Sequence, residues 1–265
     1  MSSQNDKAKE LRSFCKPGDP LLLTNVYDGA TASLIANHTS TKAVATASYA
    51  IAAVIGVADA DLTLEDNLVG IRTVASVINK TDLPLTTDLQ DGYEDVASTI
   101  KQAIEAGAVG GNIEDVDTKV DKLRTVEDAV SRIKTALRAA SDAGVPDFCV
   151  NARTDVLLYG GTIDDAIARG RAYLDAGATT VYVWGGPSGR GVSREEIKQL
   201  VKGLDGMINV KMNLRPGFLT RGELVELGVA RISIGPELYV KAMAAVKSAL
   251  DLAANEQQFQ QKSPL

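Results

Sequence analysis

Eight times along this chain a short apolar run of strand length gives way to a longer helical pattern, and that alternation constrains the fold more than any other feature. The runs are LLLTNV (21–26), KAVATAS (42–48), LPLTTDL (83–89), AVGGNIE (108–114), FCVNARTD (148–155), TTVYVWG (179–185), MINVKMN (207–213) and VARISIG (229–235). Turn signals flank them, as in EAGAVGG, DAGVPD, DAGATT and ELGVAR, where a glycine closes a helix and leads into a strand. Between the runs, apolar residues recur at helical spacing. Examples are Val96, Ile100 and Ile104; Val126, Val130, Ile133 and Leu137; and Ile163, Ile167 and Tyr173. Thr125 with Asp128 resembles an acidic capping box, and Thr162 is the expected N-cap of a helix with Asp165 at its third position. SREEIKQLVKGL and TRGELVELG continue the pattern.

Strands apolar on both faces, each followed by a helix, imply a parallel sheet. Eight such units in 265 residues imply an α/β protein built as a single closed (β/α)8 TIM barrel over residues 1–265. An open doubly wound sheet is the alternative, but no G-x-G-x-x-G follows the first strand. Residues 1–18 read as a lead-in with a short helix, and residues 255–265 as a disordered tail. Composition allows a large core, with 45% hydrophobic residues and a net charge of −6. Acids and bases are mixed and form no basic stripe, which argues against a nucleic-acid partner. Apolar runs break before bilayer length, which argues against a membrane, and MSSQNDKAKE has no signal-peptide core. Two cysteines, Cys15 and Cys149, stand outside metal-ligand or CxxC spacing and suit a reducing compartment. The expected location is cytoplasmic, with peroxisome and mitochondrion left open; the terminal SPL reads as a frayed tail. The single histidine, His38, reads as a helix-end or surface residue, which leaves none for a Ser-His-Asp triad, and without a second one a His-rich zinc site is excluded.

In such a barrel the C-terminal strand ends share one rim, where chemistry sits. In strand order that rim holds Asn25, Tyr27 and Asp28; then Thr46, Ala47 and Ser48, with Asp59 further on. Next come Asp88 and Gln90, then Asn112, Glu114 and Asp115. The last four strands give Asn151, Arg153, Thr154 and Asp155; Trp184; Lys211 and Asn213; and Ser233. Asp59, Asp88 and Glu114 would face a common mouth, and grouped carboxylates repel one another unless a cation lies between them. Hard oxygen ligands suit Mg²⁺ or Mn²⁺. Arg153 offers a planar fork for a carboxylate or phosphate. A divalent ion with an arginine suits a 2-oxo acid and its enolate. Plainer readings compete: Asp88 could cap a turn, Asp59 could sit in a solvated loop, Glu114 and Asp115 could pair with Lys119 or Lys122, and Arg153 could pair with Asp155 or Glu114.

ATASYAIAAVIGVAD, PLTTDLQDGY, VGGNIED, VNARTDVLL, AIARGRAYLDAGA and ELGVARISIGP together resemble the isocitrate lyase / phosphoenolpyruvate mutase superfamily. The resemblance runs from about Leu21 to Val246. It implies Mg²⁺ at the barrel mouth, with Mn²⁺ as a substitute, and a homodimer or homotetramer in which the C-terminal helix is exchanged. It implies that Asp88 binds the metal directly and that Asp59 and Glu114 reach it through water. By the same resemblance Arg153 contacts substrate, and the backbone amides of Thr46, Ala47 and Ser48 hold its carboxylate. Tyr27 and Asp28 match a segment near substrate, and Asn112 is placed with the substrate-binding residues. Two departures stand out. Gln90 occupies a position where the family usually has an acid. EDVDTKVDKLRT (114–125) replaces the cysteine- and histidine-bearing lid of the larger lyases. Lys119 could match a phosphonomutase lysine, but no asparagine follows it. The expected function is a Mg²⁺-dependent lyase cleaving a C–C bond of a small 2-hydroxy or 2-oxo di- or tricarboxylate, with Tyr27 or Lys119 moving the proton. The alternatives are a phosphonomutase or a phosphonopyruvate/oxaloacetate hydrolase, and a barrel that binds small acids with impaired turnover.

Overall fold

The computed structural model describes residues 3–186 and 191–254; the tail expected to be disordered, 255–265, lies outside them. Eight parallel strands close into a barrel. They are β1 (Leu21–Val26), β2 (Val44–Thr46), β3 (Leu85–Asp88), β4 (Gly110–Glu114), β7 (Cys149–Thr154), β8 (Thr180–Val183), β9 (Ile208–Lys211) and β10 (Arg231–Ser233). After β4 the chain adds a small antiparallel ribbon, β5 (Val116–Asp117) with β6 (Lys122–Leu123). Around the barrel the strands follow chain order, and β1 pairs with β10 to close it. Each observed strand falls inside its expected run. The helices are α1 (Gln4–Phe14), α2 (Gly29–Ala36), α3 (Ser48–Ile55), α4 (Leu64–Ile78), α5 (Val96–Ala106), α6 (Val126–Asp142), α7 (Ile163–Asp175), α8 (Arg194–Gly203), α9 (Arg221–Leu227) and α10 (Glu237–Ala254).

The helix signals work as chemistry. Thr162 accepts the Asp165 amide while Asp165 bonds back to Thr162, a complete capping box at α7. Thr125 caps α6 by accepting from the Asp128 amide, but the Asp128 carboxylate turns to Arg124 at 3.0 Å instead of closing the box. Gly107 and Gly228 end α5 and α9 in the left-handed conformation.

The strands are buried on both sides, yet the lumen face is not apolar. Asn151 donates to Asn112 at 2.8 Å, Thr180 donates to Asn151 Oδ1 at 2.6 Å, and Ser233 donates to Asn209 at 2.8 Å. These partners satisfy buried polar groups beneath the mouth. At the other end α1 packs against the barrel, with Ala8 and Leu11 fully buried. The approach is close enough to require Gly110: a Cβ there would lie 2.8 Å from the Cys149 carbonyl oxygen and 2.9 Å from Leu11. Among the described residues no helix is long and apolar enough to cross a membrane.

Candidate active site

The C-terminal strand ends open into a cavity of about 1070 Å³, at the upper end of small-ligand pockets. Asp88, at the end of β3, is fixed by its backbone. Its N–H donates to Thr46 Oγ1 at 2.9 Å, and its carbonyl accepts from Asn67 at 2.9 Å. Its carboxylate lies at the N-terminus of α3, where Oδ2 accepts from the Ser48 N–H at 3.2 Å and the helix dipole favours a negative charge. Oδ1 is buried and has no partner among the described residues. A buried carboxylate oxygen without a donor is costly, so this atom calls for a cation or water.

The surroundings are rich in carboxylate. Asp59, on a short 3-10 turn (Asp59–Asp61) after α3, has its pKa raised by burial and then by the nearby Asp88 charge. Glu114 is raised well above the usual carboxylate range by burial, with the Arg153 charge opposing. Asp155 is likewise raised by burial. Arg153 bonds Asp155 through Nε (2.6 Å) and Nη2 (2.7 Å) and Glu114 through Nη1 (2.6 Å). Its guanidinium carbon lies 3.9 Å from the centre of the Trp184 ring, a cation–π contact. Both plainer pairings for Arg153 are therefore made. Two of its five N–H groups keep no partner among the described residues, and the side chain lines the cavity.

Gln90 holds a positive φ of 50°, which non-glycine residues rarely adopt. The conformation swings its amide onto the Asp59 segment, where Nε2 donates to the Asp59 carbonyl at 2.7 Å and to its carboxylate at 3.2 Å. The neighbouring Asp91 turns the other way, to Arg124 at 2.9 Å. Among the described residues no three His, Cys, Asp or Glu side chains are gathered as a direct metal cage. The donor set fits one directly bound carboxylate, Asp88, with Asp59 and Glu114 reached through water, which is how Mg²⁺ is often held. Gln90 fits as the residue that orients Asp59.

Other expected residues are placed differently. Ala47, Ser48 and Asn112 line the cavity, and Thr46 lies behind it, buried and bonded to Asp88. The Ala47 N–H donates to the Val26 carbonyl and the Ser48 N–H to Asp88, so neither amide is free for a substrate carboxylate. Asp28 is the N-cap of α2, accepting from the Thr31 amide at 2.7 Å. Tyr27 is buried against Tyr239, ring centres 5.5 Å apart, and is not in the cavity wall. Lys119 is exposed, pairs with Glu94 and lines a separate cleft of about 640 Å³; the ribbon turns it outward. Asp115 meets neither Lys119 nor Lys122: it bonds Arg169 at 3.1 Å and Tyr173 at 2.7 Å. His38 sits at the surface, its Nδ1 2.8 Å from Ser40 Oγ. Lys211, Glu237, Asn213 and Arg215 form the far wall. The first and third were visible as strand ends, but the pairing of Lys211 with Glu237 was not.

The family profile for phosphoenolpyruvate phosphomutase matches residues 11–253. The chain is 34% identical over 193 residues to the 2-methylisocitrate lyase of Escherichia coli K12, covering 68% of this chain and 62% of that enzyme. It thus spans just over three fifths of that relative's length. A provisionally named phosphonomutase from Burkholderia cenocepacia J2315 superposes with a TM-score of 0.84 at 36% identity, over 95% of this chain and 100% of that one. The crystal structure of 2,3-dimethylmalate lyase superposes with a TM-score of 0.82 at 26% identity, over 97% and 89%; the Eubacterium barkeri enzyme of that name is 29% identical over 185 residues, 64% of this chain and 61% of that enzyme. With a matching profile over most of its length and these relatives, the chain belongs to the isocitrate lyase / phosphoenolpyruvate mutase superfamily.

Proposed function

We propose that this chain is a Mg²⁺-dependent lyase that cleaves a C–C bond of a small 2-hydroxy or 2-oxo di- or tricarboxylate and releases a 2-oxo acid. The observation that carries the reading is the buried, partnerless Oδ1 of Asp88 in a mouth crowded with carboxylates whose protonation is favoured by burial. Mg²⁺, with Mn²⁺ as a substitute, would be held by Asp88 directly and by Asp59 and Glu114 through water, and would supply Lewis-acid polarisation of a substrate oxygen. The Ser48 N–H, at the start of α3, holds Asp88 Oδ2, which would leave Oδ1 to the metal. Arg153, steadied by Asp155, Glu114 and Trp184, directs its remaining N–H groups at the substrate. The relatives named as lyases support the C–C reading.

A phosphonomutase reading draws on the Burkholderia cenocepacia relative. Its main residue support is weakened, because Lys119 lines the neighbouring cleft and not the mouth. The test is a parallel assay of 2-methylisocitrate, 2,3-dimethylmalate, oxaloacetate and phosphonopyruvate with and without Mg²⁺. Asp88→Asn should fold, because the residue is a half-buried strand end, and should lose metal-dependent turnover. Turnover of phosphonopyruvate alone would replace the lyase reading. Mg²⁺ and oxalate binding without product from any of the four would favour an impaired acid-binding barrel.

A further inference from the structure

The proposed cleavage needs a proton donor for the carbon that departs, and the two groups expected from sequence, Tyr27 and Lys119, lie outside the cavity wall. One lysine among the described residues lines that wall: Lys211, the last residue of β9. In the barrel order β9 stands four strands from β3 in either direction, so Lys211 faces the cavity from the side opposite Asp88. A ligand gripped at Asp88 and Arg153 by its 2-oxo or 2-hydroxy acid end directs its other end toward β9.

The lysine is held there. Its methylene stem lies along Gly235, where a Cβ would come within 3.4 Å of the Lys211 Cε. Gly235 has φ +53°, and its N–H donates to Asn25 Oδ1 at 2.9 Å, which locks the turn beneath the stem. The ammonium is 3.6 Å from Glu237 Oε1. Glu237 is 1% exposed and opens α10, and its Oε2 is buried without a partner among the described residues. A surface ion pair would satisfy both carboxylate oxygens with water. Here a buried carboxylate pairs at 3.6 Å with a lysine that faces the cavity, which holds the ammonium in place at the cavity wall.

We propose that Lys211 is the general acid of this active site, with Glu237 as its positioning partner; this rests on the lyase reading above. The C–C bond breaks with its electron pair going to the departing carbon. That carbon takes a proton from the Lys211 ammonium, leaving a neutral amine. The substrate hydroxyl loses its proton to water as its oxygen becomes the carbonyl of the 2-oxo acid, and the amine regains a proton from solvent. For a 2-hydroxy acid one proton is given and one released, so the reaction balances; a 2-oxo acid such as oxaloacetate first adds water at its carbonyl, a hydroxyl of the hydrate then loses the proton, and the products are two carboxylic acids.

The test compares wild type, Lys211→Met, Lys211→Arg and Glu237→Gln on 2-methylisocitrate, 2,3-dimethylmalate and oxaloacetate with Mg²⁺. Oxalate binding is measured by calorimetry alongside. Lys211→Met should lower kcat by ~10²–10⁴-fold with KM changed only a few-fold and oxalate binding unchanged. Lys211→Arg keeps the charge but should be equally slow. Added methylamine or ethylamine should restore turnover to Lys211→Met, with a rate that follows the amine's acidity. Glu237→Gln should fall between wild type and Lys211→Met. A folded Lys211→Met that keeps more than a tenth of wild-type kcat, or that amines do not rescue, overturns the assignment while leaving the lyase reading standing. A wild type that turns over none of the three substrates overturns both.

Discussion

Gln90→Glu probes how the carboxylate cluster is held. In the folded protein Nε2 of Gln90 donates to two Asp59 oxygens, at 2.7 and 3.2 Å. A carboxylate at position 90 removes both donors, worth about 1 kcal/mol each. It also sets a negative charge beside Asp59: at the present 3.2 Å separation and an effective dielectric near 20 the repulsion is about 5 kcal/mol. The new side chain escapes by taking a proton, which at pH 7.5 costs about 4 kcal/mol from an ordinary glutamate pKa of about 4.3. Once protonated, the introduced carboxyl can donate again to the Asp59 carbonyl, so about 4 kcal/mol is the net loss at pH 7.5, near 10 °C in Tm. The sign with pH is fixed. A carboxyl whose folded pKa is raised binds more protons folded than unfolded, so the variant loses stability as pH rises above about 4.3, by about 1.4 kcal/mol per unit. At pH 5.5 the deficit should shrink to about 1.6 kcal/mol. Saturating Mg²⁺ should stabilise it more than wild type, because the ion then neutralises the added charge. Gln90→Ala, which loses only the hydrogen bonds, should cost about 2 kcal/mol at either pH. Thermal melts at pH 5.5 and 7.5, with and without Mg²⁺, measure all of this. A Gln90→Glu variant as stable as wild type at pH 7.5, or one whose deficit ignores pH, would refute the role of Gln90 as the strap on Asp59.

The ribbon after β4 should behave as a clamped lid. Arg124 ties it to Asp91 (2.9 Å), Asp117 (3.1 Å) and Asp128 (3.0 Å) while only 13% exposed. Arg124→Met should therefore cost on the order of 3 kcal/mol and speed amide exchange across residues 116–123; unchanged exchange there would show the ribbon is held otherwise. Along α10 only Glu237 is buried, while Val240, Met243, Val246, Leu250 and Leu252 are exposed, an apolar stripe suited to a second copy of the chain. Light scattering should give a dimer or tetramer for wild type and a monomer for Val246→Glu/Leu250→Glu; a monomeric wild type would contradict the exchanged-helix expectation.

The barrel was legible because its signal is redundant. Eight β-branched runs, glycine-ended helices such as α5 and capping pairs such as Thr162–Asp165 all point to one period. The rim was legible in part for the same reason: a residue at the end of a parallel strand has one place to go, so Asp88, Glu114, Arg153 and Lys211 reach a single cavity. Side-chain direction beyond the strand ends was not legible. Gln90 and Asp91 are adjacent, yet positive φ at Gln90 and at Tyr93 (50° and 57°) sends one to Asp59 and the other to Arg124. Lys119 looked suited to the lid, but two-residue strands are too short to leave a periodic mark, and the ribbon they form faces it outward. The Lys211–Glu237 contact joins the seventh barrel strand to the helix after the eighth, a register that no local pattern encodes.

The most direct measurement is a crystal structure of the protein with Mg²⁺ and oxalate, an ion shaped and charged like a pyruvate enolate. The expected result is one ion about 2.0–2.1 Å from an Asp88 oxygen, with waters toward Asp59 and Glu114 and the oxalate between the ion and Arg153. An ion bound elsewhere, or an Asp88 Oδ1 still without a partner at saturating Mg²⁺ and oxalate, would contradict the proposed chemistry.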